Sequence, residues 1–430
     1  MAENLRVYDA PEGIPLNTDF DLRISAGDSG WAQIPTYSID VASINKKSNV
    51  FNRHPISVAS VDSNGPVVVQ ARYTRGVVHS VAIRPASAEI AAEIHDNGLV
   101  TFTLEQPRDV MVEINGDKWT ALHLLVNHID PCAPTGDSDD ILFFGPGVNK
   151  GSVPIQDGDI IVPSGKTLYL AGGAFITARV VFRNVSNAAV RGHGFIYQPK
   201  DGAILIERSQ NIVVDLFCSS DVLVEKCFLR NSDDTVAIYG HRWDYYGDTA
   251  DITVRDCVLL PDIAHPIMFG AHGNHEGEGE TFSRIRVSNI DILDHEENQM
   301  WYQGCIAINV ADGNMVEDAR FEDIRIEKIT RGQLVNLRVM QNAQWTYAPG
   351  RGIRDVTFRN VHLMNSGSGT INPSQISGYD RERRIEGVRF EGLKVGDEVI
   401  RDDMVKPRWY MVTDLVPMFV NEHVSGVTFS

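Results

Sequence analysis

The sequence predicts an all-β chain: a parallel β-solenoid over residues 135–430, preceded by an N-terminal β-sandwich over residues 1–134. Three observations predict it. A nine-residue pattern returns six times in the second half. The first half carries alternating or apolar strands separated by turn residues. Long helices are not evident anywhere.

The sandwich is read from strands such as PVVVQARY from Pro66, LVTFTLE from Leu99 and DVMVEIN from Asp109. Turns at Asp96 (DNG) and Asn115 (NGD) separate them. Asp130 to Asp140, DPCAPTGDSDD, is rich in Pro, Gly, Ser and Asp and reads as a linker. The solenoid begins soon after. DGDIIVPSGKTLYLAGGAFI from Asp157 gives two short strands around a Ser-Gly turn, and NAAVRGHGFI from Asn187 resembles an early rung.

The repeat then runs DVLVEKCFL from Asp221, DITVRDCVL from Asp251, RIRVSNIDI from Arg284, DARFEDIRI from Asp318, DVTFRNVHL from Asp355 and GVRFEGLKV from Gly387. Its steps are 30, 33, 34, 37 and 32 residues. Each copy is a short strand, a polar pair and more apolar positions. One such strand cannot bury its own apolar side, but stacked copies bury it rung on rung. GVTFS at the C-terminus starts a further rung.

The formal net charge is −18, which disfavours nucleic acid and anionic membranes as partners. No run of about 18 apolar residues suggests a membrane span. The N-terminus lacks a signal-peptide pattern. The chain as written reads as cytoplasmic, or as secreted or periplasmic if a leader has been removed. Five cysteines without close pairing argue against a disulfide framework. Cys227 and Cys257 occupy the same place in consecutive repeats and read as small core residues.

Chemistry concentrates in VVDLFCSSDVLVEKCFLRNSDDTVAIYG, Val213 to Gly240. If Val214 and Leu216 face the core, Asp215 faces outward. Val236 and Ile238 face inward, and Asp233 and Asp234 sit just before their strand. Clustered carboxylates suit glycosidic hydrolysis: one protonates the leaving oxygen, another, ionised, activates water. Calcium binding is a rival use of such a cluster.

These residues resemble the pectin-lyase-like right-handed β-helix glycoside hydrolases, families 28 and 49, over roughly residues 140–430. FFGPGV, SGKTLYLAGGAFI, the DD rung, HPIMFGAHG from His265 and LVNLRVMQN from Leu334 carry the resemblance. It implies a right-handed helix and inversion. It makes Asp233 the general acid and Asp234 the residue that helps to hold and activate water, and it places His272 in the site. Family 28 has an aspartate where Ile212 stands here, so Asp215 is the nearest outward substitute. Family 28 also grips its uronate with an Arg-Ile-Lys strand, where this chain offers Ala307, Ile308 and Asn309. The substrate therefore reads as a neutral sugar, closer to the α-glucans of family 49, the dextranases and isopullulanases.

Aromatic residues suit sugar C–H faces, and three loop clusters offer them: Trp243 and Tyr246, Trp301 and Tyr302, and Trp345. His241 and His265 are further hydrogen-bonding candidates. Arg338, mid-strand in an apolar context, could orient an aspartate or bind a hydroxyl. His272, His275, Glu276 and Glu278 fit no zinc spacing, so no metal is expected, and the mechanism requires no cofactor.

The leading expectation is an inverting glycoside hydrolase acting on a neutral, α-linked oligo- or polysaccharide of dextran or pullulan type. The chain would be a monomer or small homo-oligomer. The alternatives are polygalacturonase-like or lyase action on pectin, and a non-catalytic carbohydrate-binding solenoid.

Overall fold

The computed structural model describes residues 4–27, 30–45, 50–197, 204–207, 216–242, 245–364, 370–404 and 418–430. Among them every regular element is a strand or a three-residue 3-10 turn. The chain divides into two compact units. One comprises Met1–Asn45, Asn49–Val181 and Ala188–Ala203; the other comprises Lys46–Ser48, Phe182–Asn187 and Ile204–Ser430.

The first unit begins with two sheets. One orders Leu5–Val7, Val50–Ser63, Asp117–His128, Val110–Ile114 and Val81–Arg84, with Tyr37–Asn45 also paired to Val50–Ser63. The other orders Trp31–Ile34, Phe20–Ala26, Val67–Tyr73, Leu99–Leu104 and Ala92–Ile94. Alternate residues of both sheets, among them Leu22, Ile24, Val69 and Phe102 from one and Val61, Val112 and Leu124 from the other, share one buried cluster. Asp117–His128 runs parallel to Val50–Ser63, whereas the other pairings in these sheets are antiparallel. Short parallel pairs follow, with Ile141–Gly145 beside Thr167–Leu170 and then Ala189–Gly192.

The second unit is two ladders of parallel strands that alternate along the chain, an arrangement compatible with a parallel β-helix. One ladder contains Val236–Tyr239, Ile267–Phe269, Ile306–Val310, Val335–Val339, Ser374–Ser377 and Met418–Val420. The other contains Ser220–Glu225, Thr249–Pro261, Thr281–Ile292, Met315–Ile326, Gly352–Leu363, Ile385–Glu391 and Val424–Phe429.

The nine-residue repeat is the register of this second ladder. Val222, Ile252, Ile285, Ala319, Val356, Val388 and Val427 pair in succession. The residue before each is left-handed: Asp221, Asp251, Arg284, Asp318 and Asp355 have φ between 52 and 57°, Gly387 has 70° and Gly426 has 69°. A second left-handed set falls on the polar pair, at Lys226, Asp256, Asn289, Asp323, Asn360 and Gly392. Each set interrupts the pairing once per rung. Asp, Asn and Gly recur there because they tolerate this conformation at least cost. Between the interruptions the apolar residues stack. Phe321, Phe358, Phe390 and Phe429 form a column with centroids 5.0, 4.8 and 4.7 Å apart. Phe269 from the first ladder meets it at 5.8 Å from Phe321, so the two ladders face one another across this core. Cys227 and Cys257 occupy neighbouring rungs, and neither forms a disulfide.

Candidate active site

The paired aspartates lie in the turn between Phe228–Asn231 and Val236–Tyr239. That turn is pinned at both ends. Arg230 makes a bidentate ion pair with Asp262, and both side chains are buried. The Asp262 amide donates to the Asn231 carbonyl at 2.6 Å, and the Thr235 amide donates to the His265 carbonyl at 2.8 Å. Fixing the backbone leaves the two side chains in different surroundings.

Asp233 is exposed, and its Oδ1 accepts the Asp234 amide at 2.8 Å. Asp234 turns inward, its side chain 13% exposed. Its Oδ1 accepts His265 Nδ1 at 2.6 Å and the His265 amide at 3.1 Å, and its Oδ2 accepts the Tyr239 hydroxyl at 2.5 Å. Burial acts to raise its pKa. The His265 charge and these hydrogen bonds outweigh that and hold it below the ordinary carboxylate value. For His265 burial acts downward. Asp234, then Glu297 and Asp233, hold it above the ordinary imidazole value.

Around this hub the ladder places several of the sequence-predicted residues. His272 meets the Tyr239 ring edge-on at 5.0 Å. Its carbonyl accepts the amides of Gly240 and His241 and the Asn314 side chain. His241 and Tyr246 face each other on a two-stranded ribbon, ring centroids 6.2 Å apart. The segment from Glu297 to Gly304 brings the rest. Its 3-10 turn, Met300–Tyr302, points Trp301 out (65% exposed) and Tyr302 in, with the Tyr302 carbonyl taking His265 Nε2. Arg338 donates to the Trp301 carbonyl at 2.8 Å and lies over its ring at 5.2 Å. Trp345 Nε1 donates to Gln299 Oε1 at 3.3 Å, its ring otherwise open to solvent.

Asn309 stands apart from these. It is wholly buried on Ile306–Val310, its amide nitrogen 3.9 Å from the Met268 sulfur and its Oδ1 without a hydrogen-bond partner. His265 likewise has both ring nitrogens engaged inside the protein. Asp215 and Trp243 lie outside the described residues.

Three residues of this neighbourhood escaped the sequence reading. Tyr239 was findable, because strand parity sets it on the face opposite Val236 and Ile238. Glu297, buried beside His265, sits in a run of acids with no period to mark it. Glu280 is buried beneath the Gly-rich loop and accepts the Asn274 amide at 2.8 Å. Burial raises its pKa to about 6. Among the described residues no cluster of three or more His, Cys, Asp or Glu is placed to hold a metal ion. Among the described residues no helix is long and apolar enough to cross a membrane.

No family model matches the chain, and no curated protein matches it. Among solved structures, Dex49A from Penicillium minioluteum resembles it at 13% sequence identity, over 99% of this chain and 96% of that one, with a TM-score of 0.45. The chemistry therefore rests on this chain's own residues.

Proposed function

We propose that this protein is an inverting glycoside hydrolase whose parallel ladders form a right-handed β-helix, and that it cleaves a neutral, α-linked oligo- or polysaccharide. The observation that carries the reading is the asymmetry of the aspartate pair. An exposed carboxyl, Asp233, stands directly beside a carboxylate that hydrogen bonds hold ionised, Asp234. Two carboxyls in unlike surroundings are what acid and base roles require.

In the proposed reaction Asp233 gives its proton to the glycosidic oxygen as the bond from that oxygen to the anomeric carbon breaks. A water held by Asp234 forms the new bond to that carbon from the opposite face. Its proton passes to a carboxylate, Asp234 or Asp215 by the sequence resemblance. The exposed rings of Trp301, Trp345 and Tyr246 supply faces for sugar C–H surfaces.

Neutrality of the substrate is supported by the cation nearest the Trp301 platform. Arg338 is committed to the Trp301 carbonyl and ring. On the neighbouring strand Asn309 pairs with Arg338 and Ala307 with Asn336, so neither position adds a cation. Preference for an α-glucan follows the sequence resemblance alone. Product analysis on a panel of neutral glucans, galactans, arabinans and polygalacturonate, with Asp233→Asn alongside, tests the reading. Reducing sugar from one neutral glycan, abolished in Asp233→Asn, is the expected result. Cleavage of polygalacturonate alone, or of no sugar, overturns it.

A further inference from the structure

His265 and His295 are stacked neighbours, ring centroids 6.1 Å apart, and both are buried. Their hydrogen bonds differ in kind. His295 Nδ1 faces the Ala264 carbonyl at 3.0 Å, and its Nε2 accepts the Gly304 amide at 3.1 Å. One acceptor and one donor define a neutral ring. His265 Nδ1 faces Asp234 Oδ1, and its Nε2 faces the Tyr302 carbonyl. With Asp234 ionised, both partners are acceptors, and only a ring with hydrogen on both nitrogens satisfies them.

This imidazolium is enclosed by protein, so its charge needs compensation nearby. Asp234 supplies it directly. An antiparallel bridge between Ala264 and Glu296 joins the two segments and sets His265 opposite His295; Glu297, buried on the second segment, lies close enough for its charge to act on the His265 ring. Asp233 adds its charge from the same turn as Asp234, and the stacked His295 is neutral. Glu297 Oε1 accepts the Gln299 amide at 2.5 Å, which fixes its side chain.

We propose that His265, its charge supported by Glu297, is a permanent buried cation that keeps Asp234 ionised, leaving Asp233 as the member of the pair that donates a proton. The last clause rests on the hydrolytic reading; the charge state of His265 does not. His265 and Glu297 are both positioning residues: His265 acts through Asp234, and Glu297 through His265. The opposed shifts of His265 and Asp234 agree with this arrangement.

The charge state is read by nitrogen chemical shifts of labelled histidine in the full chain, from about pH 5 to about pH 8. We expect both His265 nitrogens to be protonated throughout, while His295 stays a neutral tautomer. A neutral His265 at pH 7 overturns the proposal. With the titration of both proteins carried above about pH 8, the His265 deprotonation midpoint should fall by about one pH unit in Glu297→Gln; an unmoved midpoint removes Glu297 from the assignment. The consequence is read in the pH profile of kcat/KM on whichever glycan is cleaved. His265→Gln should move the acidic limb upward by about one pH unit. A lower rate with the limb unmoved reduces His265 to a structural part and overturns the proposal. If no glycan is cleaved the hydrolytic reading falls, and the nitrogen shifts still decide the charge. If His265→Gln does not fold, the nitrogen shifts of the unaltered chain and of Glu297→Gln decide the proposal.

Discussion

Phe358→Ala probes the stacked architecture most directly. Phe358 is buried between Phe321 at 5.0 Å and Phe390 at 4.8 Å, within 12° and 8° of parallel to them. Truncation forfeits the burial of the ring, breaks two ring contacts and opens a cavity. The rings on either side are themselves held by their rungs, so collapse into that space is limited. Burial and cavity together cost about 3–5 kcal/mol for a Phe→Ala change, and two lost aromatic pairs of about 0.5–1.5 kcal/mol each place this one near the top. Phe429→Ala is the control. It touches one ring, Phe390 at 4.7 Å, and is only half-buried, so about 2 kcal/mol is expected. Stacked rungs open from their ends, so urea unfolding should be read together with hydrogen exchange. Phe358→Ala should lower protection in both Met315–Ile326 and Ile385–Glu391. Equal losses in the two variants, or loss of protection on one side of Phe358 only, would refute an interior column.

Three further outcomes are expected. Arg230→Met leaves the buried Asp262 carboxylate unpaired and should cost about 3–5 kcal/mol in thermal or urea unfolding, with activity lost as the aspartate turn loosens; a cost below about 1 kcal/mol would show that the pair does not anchor the turn. Glu280 has a folded pKa of about 6 against an ordinary value of 4.5, so the folded state binds the extra proton and stability falls as pH rises through that window. Glu280→Gln should flatten the melting temperature across it, and an unchanged slope would assign the effect elsewhere. Asp233→Asn should lower kcat by about 10²- to 10⁴-fold with little change in unfolding midpoint, because the side chain is exposed; full activity would remove it from the acid role.

The repeat was legible because its period is imposed locally. A left-handed residue must precede each inward apolar run, and Asp and Gly answer that need at Asp221, Asp251, Asp318, Asp355 and Gly387. The pattern therefore carried the register of a whole ladder. Pairing that depends on distant chain was not legible: nothing in DKWTALHLLVNH says that it runs parallel to Val50–Ser63. The site divides the same way. The aspartate pair announced itself, but its asymmetry did not, since Asp234 is defined by a histidine 31 residues away and by Tyr239. Trp301 and Tyr302 are sequence neighbours with opposite burial because a 3-10 turn separates their directions. Asn309 carried no mark that its rung is buried on both faces.

The two ladders do different work, and their lengths say why. The strands carrying the repeat are mostly long, as in Thr281–Ile292, Met315–Ile326 and Gly352–Leu363. They hold the phenylalanine column inside and rung-to-rung ion pairs outside, such as Arg284–Asp251, Arg286–Asp318 and Arg359–Glu391. Each exposed pair contributes little, about 0–1 kcal/mol, yet their alternation keeps like charges from stacking at successive rungs. The other ladder is made of strands of three to five residues, from Val236–Tyr239 to Ser374–Ser377. Short strands leave more chain for loops, and those loops hold Asp233, Trp301 and Trp345. A rigid ladder that repeats lets the facing one vary, which is the condition for placing one exposed carboxyl beside one clamped carboxylate on the same turn.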